Sequence, residues 1–187
     1  MRVIRNVLFL GKPGSGKGTQ GIRLAQATHR SHVSSGEYFR TLTARTDDIG
    51  ERVRDVLKSG GLVLDPFMTY LLMGQLMGPD SARGTVFDGF GRTPPQAKEF
   101  NSVHEWFGWG YLVVLLELPD EVARSRLLGR NAGREDDGSL EQIDRRLRIY
   151  EELTAPAIPI FEAAGTLRRI DSNRSIEAVD ADIRALL

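Results

Sequence analysis

The segment from Gly11 to Thr19, Gly-Lys-Pro-Gly-Ser-Gly-Lys-Gly-Thr, restricts the possible folds of this chain more than any other stretch. Gly11, Gly16 and Lys17 stand in the G-x-x-x-x-G-K register of a phosphate loop. Before it, Val3 to Leu10 is apolar and β-branched; after it, Ile22, Leu24, Ala25 and Ala27 recur at helical spacing. In a strand, glycine-rich loop and helix, backbone N–H groups close on phosphate oxygens, the helix N-terminus adds its dipole and a lysine supplies a point charge. Gly14, Ser15, Gly16, Lys17, Gly18 and Thr19 are therefore the candidate triphosphate-binding residues, and Lys17 is the candidate catalytic cation. The hydroxyl that usually follows the lysine arrives one residue later, at Thr19, because Gly18 intervenes. A glycine-rich turn that binds nothing is the competing reading, and the strand and helix on either side weigh against it.

The same alternation recurs along the chain. Short apolar runs at Thr85 to Asp88, Tyr111 to Leu118 and Leu167 to Asp171 are separated by stretches long enough for helices. This predicts an α/β fold with a central parallel sheet and helices on both faces. Tyr111 to Leu118 is nearly continuous in apolar residues, as a strand covered on both sides must be, and is the expected central strand. Helices are expected over Asp48 to Ser59, stopped by Gly60-Gly61, and after Asp65-Pro66, with Asp65 as N-cap and proline at the first helical position. Leu140, Ile143, Leu147 and Tyr150 share a face of a later helix that Pro156 kinks or ends, and Ile176, Val179 and Ile183 mark a last one.

A length of 187 residues suits one domain. Lys plus Arg and Asp plus Glu both number 25, so nothing global draws the chain to nucleic acid or to an anionic membrane, and a bound anion must be held by local placement of charge. The absence of cysteine excludes disulfides, thiolate nucleophiles and cysteine-ligated zinc. No apolar run approaches the 18 or so residues of a membrane span, and no signal-peptide profile precedes Gly11, so a soluble, cytoplasmic protein is expected.

Three residues near the second apolar run suit phosphate and base chemistry. Asp88 closes a strand at the sheet edge where doubly wound folds receive ligands, and a carboxylate there is a candidate holder of magnesium through its waters. Arg92 offers a guanidinium fork for a phosphate, and Gln96 can both donate and accept at a base edge. Taken singly, each is equally well a turn residue, a surface charge or a solvated helix position. From Arg124 to Arg148 run seven arginines, interleaved with Glu121, Glu135, Asp136, Asp137, Glu141 and Asp144. A solvated helical face accounts for Arg124, Arg145 and Arg148, and the acids argue against nucleic acid. Glycines 129 and 133 set Arg130 and Arg134 apart, in a short loop.

Gly16-Lys17-Gly18-Thr19-Gln20 resembles the phosphate loop of adenylate kinases and related nucleoside monophosphate kinases. Further segments are similar to that family in the same order: Ser34 to Arg40, Gly61-Leu62-Val63, and Phe87 to Thr93 with Gln96 after it. Arg126 to Arg130, Gly133 to Asp137 and Arg146-Leu147 look like the lid of the short-lid form. The resemblance implies an acceptor (AMP) site built from Ser35, Arg40, Leu62, Val63, Gly89, Arg92 and Gln96, with Arg126 over the donor adenine. It further implies that Arg130, Arg134 and Arg146 join Lys17 and Arg92 around the phosphates in transit; Arg130 would serve ATP, and Arg134 and Arg146 would serve AMP. Spacing from Asp137 is one residue longer than usual, so Arg145 stays a rival for Arg146. The implied organisation is one kinase domain: core 1–33, 65–129 and 138–187, acceptor-binding insertion 34–64, lid 130–137. The implied chemistry is reversible phosphoryl transfer from Mg-ATP to AMP giving ADP by a monomer, with magnesium and no zinc, since a short lid without cysteine is not the zinc-bearing kind.

Gly91, Gly60 and Leu64 stand where that family usually has proline, lysine and proline, and the first is expected to loosen the loop before Arg92. Two alternatives remain at this point. A kinase of UMP or CMP is disfavoured by Ser35 with Gln96, and a non-catalytic nucleotide sensor would require a broken set of catalytic residues, which are all present.

Overall fold

Ile4–Gly11 form β1, and the six residues from Asn6 onward are buried. The computed structural model describes residues 3–129 and 139–187. β2 (Ser31–Ser34), β3 (Thr85–Asp88), β4 (Gly110–Glu117) and β5 (Leu167–Asp171) complete a five-stranded sheet, all parallel, in the order β2-β3-β1-β4-β5. The expected α/β architecture is borne out. β4 is an interior strand, as its apolar run requires, but β1 holds the middle position. β2 was not legible: Ser-His-Val-Ser has no apolar run, and the strand forms at the sheet edge through its register with β3, from Ser31 opposite Thr85 to Ser34 opposite Asp88.

Alternation along the strands divides the core. Leu8, Leu10, Phe87, Val113 and Leu115 face one layer, and Val7, Phe9, Val86, Leu112, Val114 and Leu116 face the other. The first layer receives Met68, Leu72 and Leu76 from α4 (Asp65–Leu76), Phe100 from α5 (Pro94–Phe107) and Phe161 from α8 (Ile158–Ala163). The second receives Leu24 from α1 (Lys17–Thr28) and Val179 and Ile183 from α9 (Ile176–Arg184). Phe39 of α2 (Ser35–Leu42) and Val53 of α3 (Asp48–Lys58) extend the first layer, while α6 (Asp120–Leu128) and α7 (Leu140–Ile149) pack on each other through Leu127, Ile143 and Leu147.

Local signals account for most helix boundaries. Thr93 caps α5 by accepting from Gln96 N, and Pro94 and Pro95 follow where an N–H has no helical partner. At the end of α3, Gly60 N and Gly61 N donate to Leu57 O and Val56 O. α7 does not run straight into α8: Tyr150–Thr154 form a π turn and Ala155–Ala157 a 3-10 turn around the expected break at Pro156. Asp65 corrects an expectation. It is the first residue of α4, not its cap; Leu64 precedes the helix, and the Asp65 carboxylate reaches across to α5 instead.

β1 lies between β3 and β4, so the chain leaves in opposite directions on its two sides. The loop after β1 thus falls at the reversal of strand order, where doubly wound sheets bind ligands beyond their carboxyl ends. Among the described residues no helix is long and apolar enough to cross a membrane.

Candidate active site

A cleft of about 440 Å³ opens at that reversal, within the range of small-ligand sites. Gly14 through Thr19 line it, together with Asp88 and Arg92 from the end of β3, Arg40 from α2, Arg126 from α6 and Arg146 from α7. Among the described residues, six cationic side chains (Lys17, Arg40, Arg92, Arg126, Arg146 and Arg174) and two carboxylates, Glu37 and Asp88, line it, in a chain whose charges balance overall. Such a lining selects an anion.

The two lysines of the loop are sorted by their neighbours. Lys12 Nζ pairs with Asp120 at 2.5 Å and Glu151 at 2.8 Å; burial works against its charge, but these partners outweigh it and hold the ammonium above its ordinary range. This pins the outer loop to the start of α6 and to the π turn. Lys17 Nζ stays with the loop, donating to Gly11 O at 2.7 Å and Lys12 O at 2.8 Å, and lines the cleft. The Lys12 ammonium stands 5.9 Å from the Tyr150 ring centre, where burial and then Glu151 push the phenol up to about 12, so it remains neutral.

A smaller pocket adjoins the cleft. Ser35, Leu62, Val63, Gly89 and Gln96 line it with Phe39, Leu57 and Met68, and Gly36 and Arg92 belong to both pocket and cleft. Ser35 Oγ donates to Gly89 O at 2.9 Å, which joins α2 to the loop after β3. A side chain at Gly89 would overlap the Ser35 hydroxyl and stand 2.8 Å from Arg92 Nη2, so the close approach of both groups requires glycine here.

Every expected site residue within the described part therefore lines the cleft or the adjoining pocket. Arg130 and Arg134, and with them the expected lid 130–137, lie outside the described residues. Of the two rivals in α7, Arg146 faces the cleft and Arg145 is exposed. Gly91 corrects a second expectation. Instead of loosening the loop, it adopts φ +63°, and an added Cβ would come within 3.0 Å of Leu8 and of the Phe161 ring, so this turn is tightly packed.

Ser172, Arg174, Ser175, Ile176 and Val179 also line the cleft, and the sequence reading missed them. Arg126 donates to Ser172 O at 3.0 Å and Gln20 Nε2 to Ile176 O at 3.0 Å, fixing this loop against α6 and α1. The available signal was position: the loop follows β5 at the same sheet edge as the phosphate loop.

Magnesium is implied by the resemblance, and the residues present fit it. Asp88 Oδ1 is buried with no hydrogen-bond partner among the described residues, and a Cβ at Gly18 would stand 3.5 Å from Asp88 Oδ2. A carboxylate beside the phosphate loop, with the Thr19 hydroxyl lining the same cleft, is an oxygen donor set of the kind a hard, water-retaining cation takes. Among the described residues no three His, Cys, Asp or Glu side chains gather as a metal cluster.

The sequence profile of the family described as Adenylate kinase matches residues 9–166. Relatives named "Adenylate kinase" include one from Thermus thermophilus, 40% identical over all of this chain and 99% of its own length. That of Synechococcus sp. strain JA-2-3B'a(2-13) is 38% identical over 97% of this chain and 95% of its own, and that of Stenotrophomonas maltophilia strain K279a 33% over 97% and 98%. A phosphate loop at the reversal of a parallel sheet, a smaller pocket sharing an arginine with the cleft, and near-full-length identity of this order converge: the chain belongs to the adenylate kinase family.

Proposed function

We propose that this cleft carries the reversible transfer of the γ-phosphoryl group of ATP to AMP, giving two ADP. The observation that carries the reading is the position of Arg92, which lines both the phosphate cleft and the acceptor pocket. A phosphate gripped there by an AMP whose base fills the pocket faces the phosphate loop, as in-line transfer requires.

Phosphoryl transfer asks for little covalent chemistry, so rate comes from alignment and from cations aimed at charge on the moving group. Gly14 to Thr19 cradle the donor phosphates, and Lys17 supplies charge at their far end. Arg92 and Arg40 hold the acceptor phosphate. Arg146 neutralises the group in passage, and the proposal gives Arg130 and Arg134 the same duty. Arg126, fixed on Ser172 O, covers the donor base. Ser35, Leu62, Val63, Gly89 and Gln96 shape the acceptor base pocket. Asp88 and Thr19 would hold the magnesium that travels with ATP, which supplies charge neutralisation between phosphate oxygens. We assign residues 34–64 as the acceptor-binding insertion and 130–137 as the lid. One chain supplies both subsites, which supports action as a monomer.

Coupled turnover with Mg-ATP against AMP, CMP, UMP, GMP and dTMP, beside a control without acceptor, tests the assignment. Preference for AMP by at least about a hundredfold in kcat/KM is expected from a polar base site. Comparable turnover with a pyrimidine monophosphate would overturn the acceptor assignment, and no turnover with any acceptor would overturn the catalytic one.

A further inference from the structure

The side-chain amide of Gln96 is held at both ends. Its Oε1 accepts from Arg92 N at 3.0 Å, and its Nε2 donates to Asp65 Oδ1 at 2.6 Å. A backbone N–H can only donate and an ionised carboxylate can only accept, so a half turn of the amide would break both bonds. Neighbouring chemistry thus decides which end is oxygen and which is nitrogen. Gln96 is buried and lines the acceptor pocket. Beyond these two bonds it has one further N–H and one further lone pair, in places that cannot be exchanged.

That pair of groups is a directional reader. Adenine offers an acceptor at N1 beside a donor at its 6-amino group, whereas a 6-oxo purine offers N1–H beside a carbonyl, the inverse pattern. Whichever end of the amide meets position 6, only one of the two patterns matches.

Asp65, the first residue of α4, is not among the residues lining the pocket. Thr93 Oγ1 donates to the same carboxylate at 3.3 Å, and accepts from Gln96 N as the cap of α5. Asp65 therefore joins the start of α4 to the start of α5, where Gln96 holds the Arg92 N–H. We infer that Asp65 is a specificity-determining positioning residue, whose carboxylate fixes the donor end of the Gln96 amide and so makes the acceptor pocket choose a 6-amino over a 6-oxo purine monophosphate. The inference rests on the reading of this pocket as the acceptor-base site.

The test compares kcat and KM for AMP and IMP in the unaltered chain, Asp65→Asn, Asp65→Glu, Gln96→Leu, the Asp65→Asn/Gln96→Leu pair and Thr93→Val, with thermal midpoints to establish folding. A carboxamide at 65 can donate as well as accept, so only the Arg92 N–H then holds the Gln96 amide in its orientation, and a half turn breaks one bond instead of two. Asp65→Asn is expected to narrow the AMP-to-IMP ratio of kcat/KM about tenfold, chiefly through the KM for AMP. Asp65→Glu keeps an acceptor-only group and is expected to retain most of the ratio. In the Gln96→Leu background, Asp65→Asn changes the ratio less than about twofold, because the amide through which it acts is gone. Thr93→Val removes the hydroxyl's bond to Asp65 and its cap on Gln96 N but leaves the Asp65–Gln96 bond, and is expected to leave the ratio in place. A folded Asp65→Asn variant with an unmoved ratio overturns the inference, as does an equal effect with Gln96 already removed. Should Asp65→Asn not fold, a collapsed ratio in Asp65→Glu does the same. If Gln96→Leu itself leaves AMP and IMP discrimination intact, the pocket does not read the base through Gln96, and that underlying reading fails separately.

Discussion

Acidification is expected to destabilise this fold through one buried imidazole. His104 lies fully buried in α5, stacked on Phe100 and against Tyr111. Its tautomer follows from its neighbours. Asn6 Oδ1 accepts from Thr85 N at 2.8 Å, so Asn6 must turn its amino end to His104 Nε2, 2.9 Å away. Nε2 is therefore the acceptor, and Nδ1–H donates to Phe100 O at 2.8 Å. Burial holds the imidazole down at about 4, against an ordinary value of 6.5, although the bond to Phe100 O pulls the other way. The folded chain thus takes up this proton less readily than the unfolded one. The contribution is fully present above about pH 6.5 and is lost as pH falls toward 4. A displacement of that size corresponds to about 3 kcal/mol in full, of which about 2 kcal/mol is lost by pH 5. For a chain of this length that lowers the thermal midpoint by about 4 to 8 °C. The assay is thermal unfolding at pH 7.5 and pH 5 of the unaltered chain and of His104→Gln, which forms neutral hydrogen bonds but does not titrate. Carboxylates that titrate in the same window act on both proteins, so the difference isolates His104. Equal falls in the two midpoints would refute the reasoning.

Gly91→Pro restores the residue usual in the family, yet proline cannot adopt φ +63°, so the variant is expected to lose about 1 to 3 kcal/mol and to raise the KM for AMP by displacing Arg92; chemical denaturation and acceptor kinetics check both. Gly60→Lys places a Cβ 2.8 Å from Arg146 Cγ in a left-handed turn, so kcat is expected to fall between about tenfold and a hundredfold with a smaller change in the KM for ATP, measured under saturating acceptor. Asp88→Asn should raise the free magnesium needed for half-maximal rate by about tenfold, read from a magnesium titration at fixed ATP. Lys17→Ala should lower kcat by about a hundredfold or more while far-ultraviolet circular dichroism stays unchanged; near-normal turnover would remove Lys17 from the chemistry.

The parts of the fold that could be read in the sequence are those whose cause is local. Val7 to Leu10 and Leu112 to Leu116 are apolar on both faces because helices cover both sides, and Thr93-Pro94-Pro95 announces a helix start within three residues. β2 escaped because its cause is elsewhere: an edge strand forms on the register that β3 offers, so its own side chains need not be apolar. Asp65 was misplaced for the same kind of reason. Asp before Pro is a good cap signal, but the carboxylate finds Thr93 and Gln96, 28 and 31 residues away, which no local pattern encodes. Gly91 shows the limit of reasoning by substitution. Glycine in place of proline suggests looseness until the positive φ and the contacts with Leu8 and Phe161 are known.

Charge explains how a neutral chain can present a strongly cationic cleft. Away from the cleft, basic side chains are matched to acids across element boundaries: Arg124 with Asp144 joins α6 to α7, Arg169 bridges Glu117 and Glu162, and Arg23 and Arg184 share Asp180. Each such pair at or near the surface adds little stability, since solvent screens it. Their effect is on the distribution of potential, because a cation bound to a carboxylate contributes little to the field a few ångströms away. Lys12 makes the contrast within one loop, drawn by Asp120 and Glu151 away from the cleft that Lys17 lines five residues later. In these pairs the acids engage basic side chains outside the cleft, while Arg174, which lines it, is itself held by Asp182 and Asp171. Among the described residues of the lining, six cations still outnumber two carboxylates, which makes a positive region at the sheet edge where charge developing on a transferring phosphoryl group meets preorganised cations.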